Sequence, residues 1–331
     1  MAHFFSIGGI KMEVIRQYAL GGSEVLIKEH AAIPTLQQGE VLIRGYYTTV
    51  NYADIKTRKG TKGGAKFPFT LGLDIVGEIV ESKSEYFIKG ERVIAFPKNG
   101  SYSQFVVASE ELTYVIPNEL DLKQAAAMPT VSILSYILLH KIGHVQQSDT
   151  IVVHSAAGGV GSTIVQLAKL FGVQHIIGTT GDKGKFDFIR SLGAHDVYTY
   201  NDFAEKTLEK TASNGANIIF DSVAGEVTER SMTCLAHYGT LVQFGNSSGR
   251  PGQFSTADVH NSCRNVKGFS LGTTRKLKPQ YLRPIVDELI LIMLDGELTI
   301  PIDNIYSLDE VALAHERIES RQHKGKILIQ L

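Results

Sequence analysis

The stretch Thr150-Ile-Val-Val-His-Ser-Ala-Ala-Gly-Gly-Val-Gly161, continued by Ser162-Thr-Ile-Val-Gln-Leu-Ala-Lys-Leu-Phe-Gly172, decides the fold. A β-branched run leads into a glycine-rich turn, and the turn leads into a helix-forming segment. Strand, tight turn and helix in that order open a dinucleotide-binding unit. Glycines let the backbone approach a pyrophosphate, and the helix N-terminus offers it free N–H groups and a partial positive charge. A strict G-x-G-x-x-G is absent. Aligned on the last glycine, the three positions hold Ala156, Gly158 and Gly161. A plain strand–helix connection that binds nothing is the alternative, and the flanking strand and helix favour the dinucleotide.

The strand that follows, His175 to Thr179, reports on the cofactor. In an NAD site an acidic residue ends this strand and grips the ribose hydroxyls. Here the end is neutral Thr180, which tolerates a 2′-phosphate, and Lys185 follows as a cation able to neutralise it. Asp182, two residues past the strand end, argues the other way. The missing acid favours NADP(H) over NAD(H). An ordinary solvated helix lysine is the alternative for Lys185.

Outward from this core the texture changes twice. Residues 12–123 read as short strands, such as Glu40–Arg44, Asp74–Val80, Arg92–Ala95 and Ser103–Val107. Turns at Gly21-Gly22, Gly39, Gly63-Gly64, Pro68 and Gly90 separate them, as in a compact all-β unit. Asp121–His140 reads as helix. Strands then alternate with helices as far as Phe244, which implies a parallel doubly wound sheet. The tail carries a helix from Pro279 to Leu294, a capping box at Ser307–Glu310 and a closing strand at Lys326–Ile329. Residues 1–11 read as an appendage.

Composition bounds the function classes. The 331 residues are 43% hydrophobic and 20% charged, with a net charge of −1, so neither nucleic acid nor an anionic membrane is expected as a partner. The longest apolar run, Leu289–Leu294, is too short to span a bilayer, and no membrane segment is expected. Cys234 and Cys263 form no metal spacing and are expected as buried thiols, consistent with a reducing, cytoplasmic setting. His140 and His144, four apart, fall on one face of a helix and are read as ordinary histidines.

Several motifs in order give the chain a family likeness. They are Asn51-Tyr-Ala-Asp54 with Arg58 and Gly60, Leu71-Gly-Leu-Asp74-Ile-Val-Gly77, Ala156–Gly161, Phe244-Gly-Asn-Ser-Ser-Gly249, and Glu319-Ser-Arg321 with Gly325-Lys326. Together they resemble the zinc-independent quinone oxidoreductases of the medium-chain dehydrogenase/reductase superfamily, over about residues 12–331. The resemblance implies an α/β protein with a GroES-like β-rich catalytic domain and an inserted Rossmann-type domain. The expected boundaries are 12–123, 124–265 for the NADP(H)-binding domain, and 266–331 for the return. It also implies homodimers, for which the strand-like segment Asn265–Leu271 offers a pairing edge. NADPH contacts are implied from Asn51, Ala157, Gly158, Gly159, Val160, Thr180, Lys185, Tyr200, Phe244, Gly245, Asn246, Ser247 and Arg321. The Asn51 segment faces the nicotinamide, and Asn51, Tyr52 and Asp54 are the catalytic candidates.

Each candidate has a plainer reading. Asn51 and Asp54 also suit a turn, with Asp54 orienting Arg58, and Tyr52 also suits a core. Lys56 stands where the family often has a tyrosine, which leaves the proton donor open. No metal is expected. Zinc-containing relatives carry Cys in place of Asn51 and His in place of Leu73, and neither replacement suits zinc. Without a Lewis acid, hydride transfer to a quinone or enone is better matched than alcohol oxidation, because the product anion is delocalised. The expected function is therefore an NADPH-dependent reductase of a small quinone or α,β-unsaturated carbonyl. A non-catalytic NADPH-binding protein and an enoyl-thioester reductase are the alternatives.

Overall fold

The computed structural model describes residues 11–61 and 66–331. The turn at Gly63-Gly64 and the expected appendage up to residue 10 lie outside the described residues. Lys11 opens a strand, Lys11–Gln17, instead of closing that appendage.

The chain divides into two compact units. The first comprises the described residues up to Thr130 together with Pro279–Val286 and Ile302–Leu331. The second comprises Val131–Lys278 and Asp287–Pro301. These limits differ from the expected 123/124 and 265/266, for two structural reasons. The helix Leu122–Tyr136 is continuous, so the change falls inside it. The strand Asn265–Gly268 pairs in parallel with Leu235–Gln243 and so extends the second unit's sheet.

In the first unit the long strand Glu40–Val50 organises a seven-stranded sheet. One edge of it pairs with Ile75–Ser82. The other edge is shared: Phe105–Ser109 pairs residues 40–44, and Lys326–Gln330 pairs residues 47–50. Apolar side chains at Ile15, Val50, Ile55, Leu71, Tyr102, Val311 and Ile327 form a core beside this sheet. The unit is not all-β as expected, because the short helix Tyr52–Arg58 follows the long strand directly. The capping box is present as expected. Both the backbone N and the Oγ of Ser307 donate to Glu310 Oε2 at 2.9 Å, and the helix Val311–Glu319 follows.

The second unit carries a six-stranded sheet in which every pair is parallel. Its strands run, in chain order, Thr150–Val153, His175–Thr179, Asp196–Tyr198, Ala216–Asp221, Leu235–Gln243 and Asn265–Gly268. Their spatial order is 3-2-1-4-5-6. That is the doubly wound nucleotide-binding order, and its ligand crevice lies past the strand ends where the order reverses. The reversal falls between Thr150–Val153 and Ala216–Asp221. The residues beyond those ends, from His154 and from Ser222, line the crevice.

Three expectations change. Cys234 is buried, and burial pushes its thiol up to about 12, but Cys263 is exposed at a loop turn. His140 and His144 do not share an α-helical face. The chain there forms a π-helical stretch, Ile137–Gly143, and His144 ends it in the left-handed conformation at φ 53°. The continuous helical segment Leu122–Gly143 has the length and composition to cross a bilayer, which the apolar-run reading missed. Of its most apolar window, 78% is buried inside the protein, as in a core helix.

Candidate functional site

The crevice of the second unit is built on a turn that needs a left-handed residue one position before Ala156, where the fingerprint lacks its first glycine. Ser155 supplies it, at φ 53°. The Tyr200 hydroxyl holds Ser155 there, accepting from its N–H at 3.1 Å and lying 3.2 Å from its Oγ. Tyr200, expected as a cofactor contact, thus braces the turn.

The two remaining glycines divide the work. A Cβ on Gly161 would lie 2.3 Å from the Ser155 carbonyl oxygen and 2.8 Å from Ala156 Cα, so strand–helix packing demands glycine. A Cβ on Gly158 would meet only the Ser155 carbonyl, at 3.3 Å, and otherwise point into open space. The N-cap of the helix Gly159–Leu170 is Gly158, which brings no side-chain cap to the first-turn N–H groups. Open space above uncapped amides fits a pyrophosphate. Ala157 is buried in the turn, while Gly158, Gly159 and Val160 are half-buried at its rim.

Beneath the turn lies a neutral polar support. His154 is fully buried, with Nδ1 2.8 Å from Thr179 Oγ1 and Nε2 2.8 Å from Ser231 Oγ. Ser231 donates its own proton to the Val227 carbonyl at 2.6 Å, so it accepts from His154 Nε2–H. Nδ1 then accepts from Thr179. Burial pushes the imidazole down to about 4, with Asp221 opposing, so it is neutral at pH 7.

The phosphate-selecting residues stand as follows. Thr180 is buried at the end of its strand. Asp182 caps the next turn, accepting from Gly184 N at 2.8 Å. Lys185 is 6% exposed, unlike a solvated helix lysine. Phe244, Gly245, Asn246 and Ser247 are half-buried past the strand Leu235–Gln243, and Ser247 N donates to Ser222 O at 3.0 Å. That bond ties the segment to the loop after Asp221.

In the first unit, the strand Glu40–Val50 ends and the helix Tyr52–Arg58 begins at Asn51. Asp54 accepts the Asn51 N–H at 2.8 Å and the Gly72 N–H at 3.1 Å. Only 2% of it is exposed, and burial pushes its carboxyl up to about 6 against the pull of those N–H groups. Asp54 therefore fixes the turn from below, through the Asn51 and Gly72 amides. It does not orient Arg58. That guanidinium donates to the Gly21 carbonyl, His315 Nδ1 and Glu319 Oε2, at 3.2, 3.1 and 2.7 Å. Tyr52 is 39% exposed, which excludes the core reading. Asn51 is 8% exposed, at the surface end of a buried polar chain that includes Thr49, Asp74 and Lys326. Arg321 is exposed, at φ 58° just past the helix Val311–Glu319.

Residues 37–118 match the family model for the alcohol dehydrogenase GroES-like domain, and residues 159–287 match that for zinc-binding dehydrogenases. A quinone oxidoreductase of Pseudomonas aeruginosa is 32% identical over 324 residues, covering 94% of this chain and 97% of that protein. The chain belongs to the quinone oxidoreductase family of the medium-chain dehydrogenase/reductase superfamily. A quinone oxidoreductase of Sus scrofa is 29% identical, covering 97% of this chain and 98% of that one. The crystal structure of the Escherichia coli quinone oxidoreductase complexed with NADPH superposes with a TM-score of 0.89 at 26% identity, covering 96% of this chain and all of that one.

Two positions that carry zinc ligands in zinc-dependent relatives hold residues that suit zinc poorly. Leu73 offers no donor and Asn51 is a poor ligand. The Asp74 carboxylate is already engaged by the hydroxyls of Thr49 and Thr130. Among the described residues, no group of three or more His, Cys, Asp and Glu side chains is placed to hold a metal.

Sequence reading missed Lys326, His154 and Ser231 as parts of these sites. Lys326 stood in a quoted motif, but only as the neighbour of Gly325. No local pattern marks a lysine opening an apolar strand as buried.

Proposed function

We propose that this chain is an NADPH-dependent reductase that transfers hydride to a quinone or an α,β-unsaturated carbonyl without a metal ion. The observation that carries this reading is the Asn51 turn, which offers a hydrogen-bond donor where a zinc-dependent relative needs a metal ligand. When bound, NADPH supplies the hydride, and the protein supplies position and electrostatics. Gly158 and the first-turn amides of Gly159 and Val160 take the pyrophosphate. Thr180 leaves room for the 2′-phosphate, Lys185 neutralises it, and the Phe244–Ser247 segment completes the second unit's contacts. In the first unit Asn51 and Arg321 are the residues offered to the cofactor, and Tyr52 offers an apolar face to the acceptor.

At the reacting end the Asn51 amide donates to the acceptor oxygen, where negative charge develops as hydride arrives. A quinone or enone spreads that charge over a conjugated system, so one neutral donor suffices. No ionised acid touches the acceptor, and water protonates the product. A homodimer paired through the exposed edge strand Asn265–Gly268, in the cytoplasm, completes the reading.

Stopped-flow oxidation of NADPH with quinones, enals, enones and enoyl thioesters tests it. Turnover with quinones or enones is the expected result. Tight NADPH binding with no turnover would replace the enzyme by a binding protein, and turnover confined to thioesters would move the acceptor class. Sizing chromatography tests the dimer.

A further inference from the structure

The register of the first unit's sheet brings together two groups far apart in sequence. The strand Lys326–Gln330 runs antiparallel to Glu40–Val50, with Ile327 opposite Val50. Lys326 therefore enters beside Asn51. Its side chain is 3% exposed, and Nζ donates to Asn51 Oδ1 at 2.8 Å and to the Val50 carbonyl at 3.3 Å. Burial pulls the Lys326 ammonium down while Asp74 and Asp54 hold it up; an ammonium has only donors, so the amide turns its oxygen toward it.

The other arm of the amide is fixed as well. Asn51 Nδ2 lies 3.2 Å from Thr49 Oγ1. Thr49 gives its own proton to Asp74 Oδ1 at 2.6 Å, so toward Asn51 it is an acceptor. Asp74 is held in turn by Thr130 Oγ1 and by Thr130 N, the latter at 3.3 Å. A buried cation and a buried carboxylate thus pin the amide from opposite ends, and the second Nδ2 hydrogen is the polar group left for a ligand.

We propose that Lys326 is a positioning residue for hydride transfer: it locks the Asn51 amide so that a bound acceptor oxygen meets an N–H and never a C=O. The inference rests on the reading that Asn51 meets the acceptor. An amide released from Lys326 keeps only its Thr49 contact, so its carbonyl oxygen is no longer held away from the acceptor, where it would oppose the developing charge. The lock also selects acceptors by chemistry. A carbonyl or quinone oxygen pairs with the N–H, whereas a group that can only donate finds no partner.

A double-mutant cycle on kcat separates this role from simple charge balance in the core. The assay uses NADPH with para-benzoquinone, and thermal unfolding is followed in parallel. Lys326→Met is expected to lower kcat about ten- to hundredfold while KM for NADPH stays within about twofold. In an Asn51→Ala background the same change is expected to lower kcat by less than about threefold. Equal losses in both backgrounds, or an unchanged kcat in folded Lys326→Met, would overturn the proposal.

Should Lys326→Met fail to fold, Asn51→Asp carries the test. It keeps an oxygen for Lys326 but has no N–H, so the melting temperature should hold while kcat falls at least about tenfold. A wild-type kcat in that variant would also overturn the proposal. A wild-type chain that reduces neither quinones nor enones removes the parent reading and this inference together. Wild-type turnover with additive variants removes the inference alone.

Discussion

Among the described residues, each unit fully buries one histidine that burial holds neutral, and the two are supported differently. His154 sits between two hydroxyls, those of Thr179 and Ser231. His315 sits between a guanidinium and a phenol: Arg58 donates to its Nδ1, and its Nε2–H reaches the Tyr102 hydroxyl at 3.0 Å. Both rings are Nε2–H tautomers held by a donor on Nδ1, yet the hydrogen-bond partners of one are two neutral hydroxyls and those of the other include a guanidinium. A hydroxyl lost from a neutral network removes a modest bond. An ion lost from a buried network strands its partners. The His154 support is thus made of hydroxyls, while the Asn51 side rests on balanced charges: Arg58 with Glu319, and Lys326 near Asp54 and Asp74.

The sharpest way to break this comparison is to remove one support from each side. Arg58 is fully buried, and Arg58→Met leaves His315 and the Gly21 carbonyl without their donor and Glu319 with Lys59 alone. A loss of about 3–5 kcal/mol in denaturant unfolding is expected, as for a buried pair broken from one side. Ser231→Ala should cost only about 1–2 kcal/mol. Equal losses would mean that charge makes no difference here.

Acid titration separates the units by sign. Burial lowers His154 to about 4 and His315 to about 3, so both are favoured as neutral rings in the fold. Their stabilisation is complete above the unfolded value near 6.5 and is lost as pH falls toward the folded values. Each contributes about 3 kcal/mol of loss by pH 4. Asp54 runs the other way. Its carboxyl is raised from 3.8 to about 6, so its contribution is present below about pH 4 and lost as pH rises through 6. In the first unit Asp54 offsets His315 between pH 6 and 4. Asp54→Asn should therefore steepen the fall of melting temperature with acid over this window. A slope unchanged from wild type would show that Asp54 titrates normally.

How much of this was legible in the chain depends on sequence distance. The glycine turn was readable because strand, turn and helix are contiguous, and Ser307–Glu310 was readable because a capping box spans one helical turn. The position of Lys185 after a neutral strand end was readable; its burial was not, because burial depends on packing and not on spacing. Lys326 reaches a residue 275 positions away, and His154 pairs with Ser231, 77 positions on. Such meetings follow from sheet register and helix packing, which hydrophobic alternation constrains but does not number. Asp54 shows the reverse: its type suggested chemistry, and no spacing marked it as the acceptor of the Asn51 and Gly72 amides.

The cofactor side is sharpened by Lys185→Ala. If this buried cation answers a 2′-phosphate, KM for NADPH should rise about thirtyfold, near the 2 kcal/mol of a charge-assisted bond, and KM for NADH should not change. Parallel rises for both nucleotides would assign Lys185 to the local fold.

The smallest expected effect tests whether neutral bracing matters to the ligand at all. Tyr200→Phe removes the hydroxyl from Ser155 N and Oγ without changing ring packing against His154, whose centroid is 6.1 Å away. The half-buried Ser155 N–H loses an acceptor, which should cost about 1 kcal/mol of stability. The left-handed conformation of Ser155 carries a comparable strain that the hydroxyl helps to hold. Released, the turn should sample other conformations and present its amides less often in the binding geometry. KM for NADPH and for NADH should then rise together by about fivefold, with kcat unchanged, because the pyrophosphate cradle serves both nucleotides. A rise confined to NADPH would instead place the Tyr200 hydroxyl at the 2′-phosphate, and the turn would owe its shape to Ser155 alone.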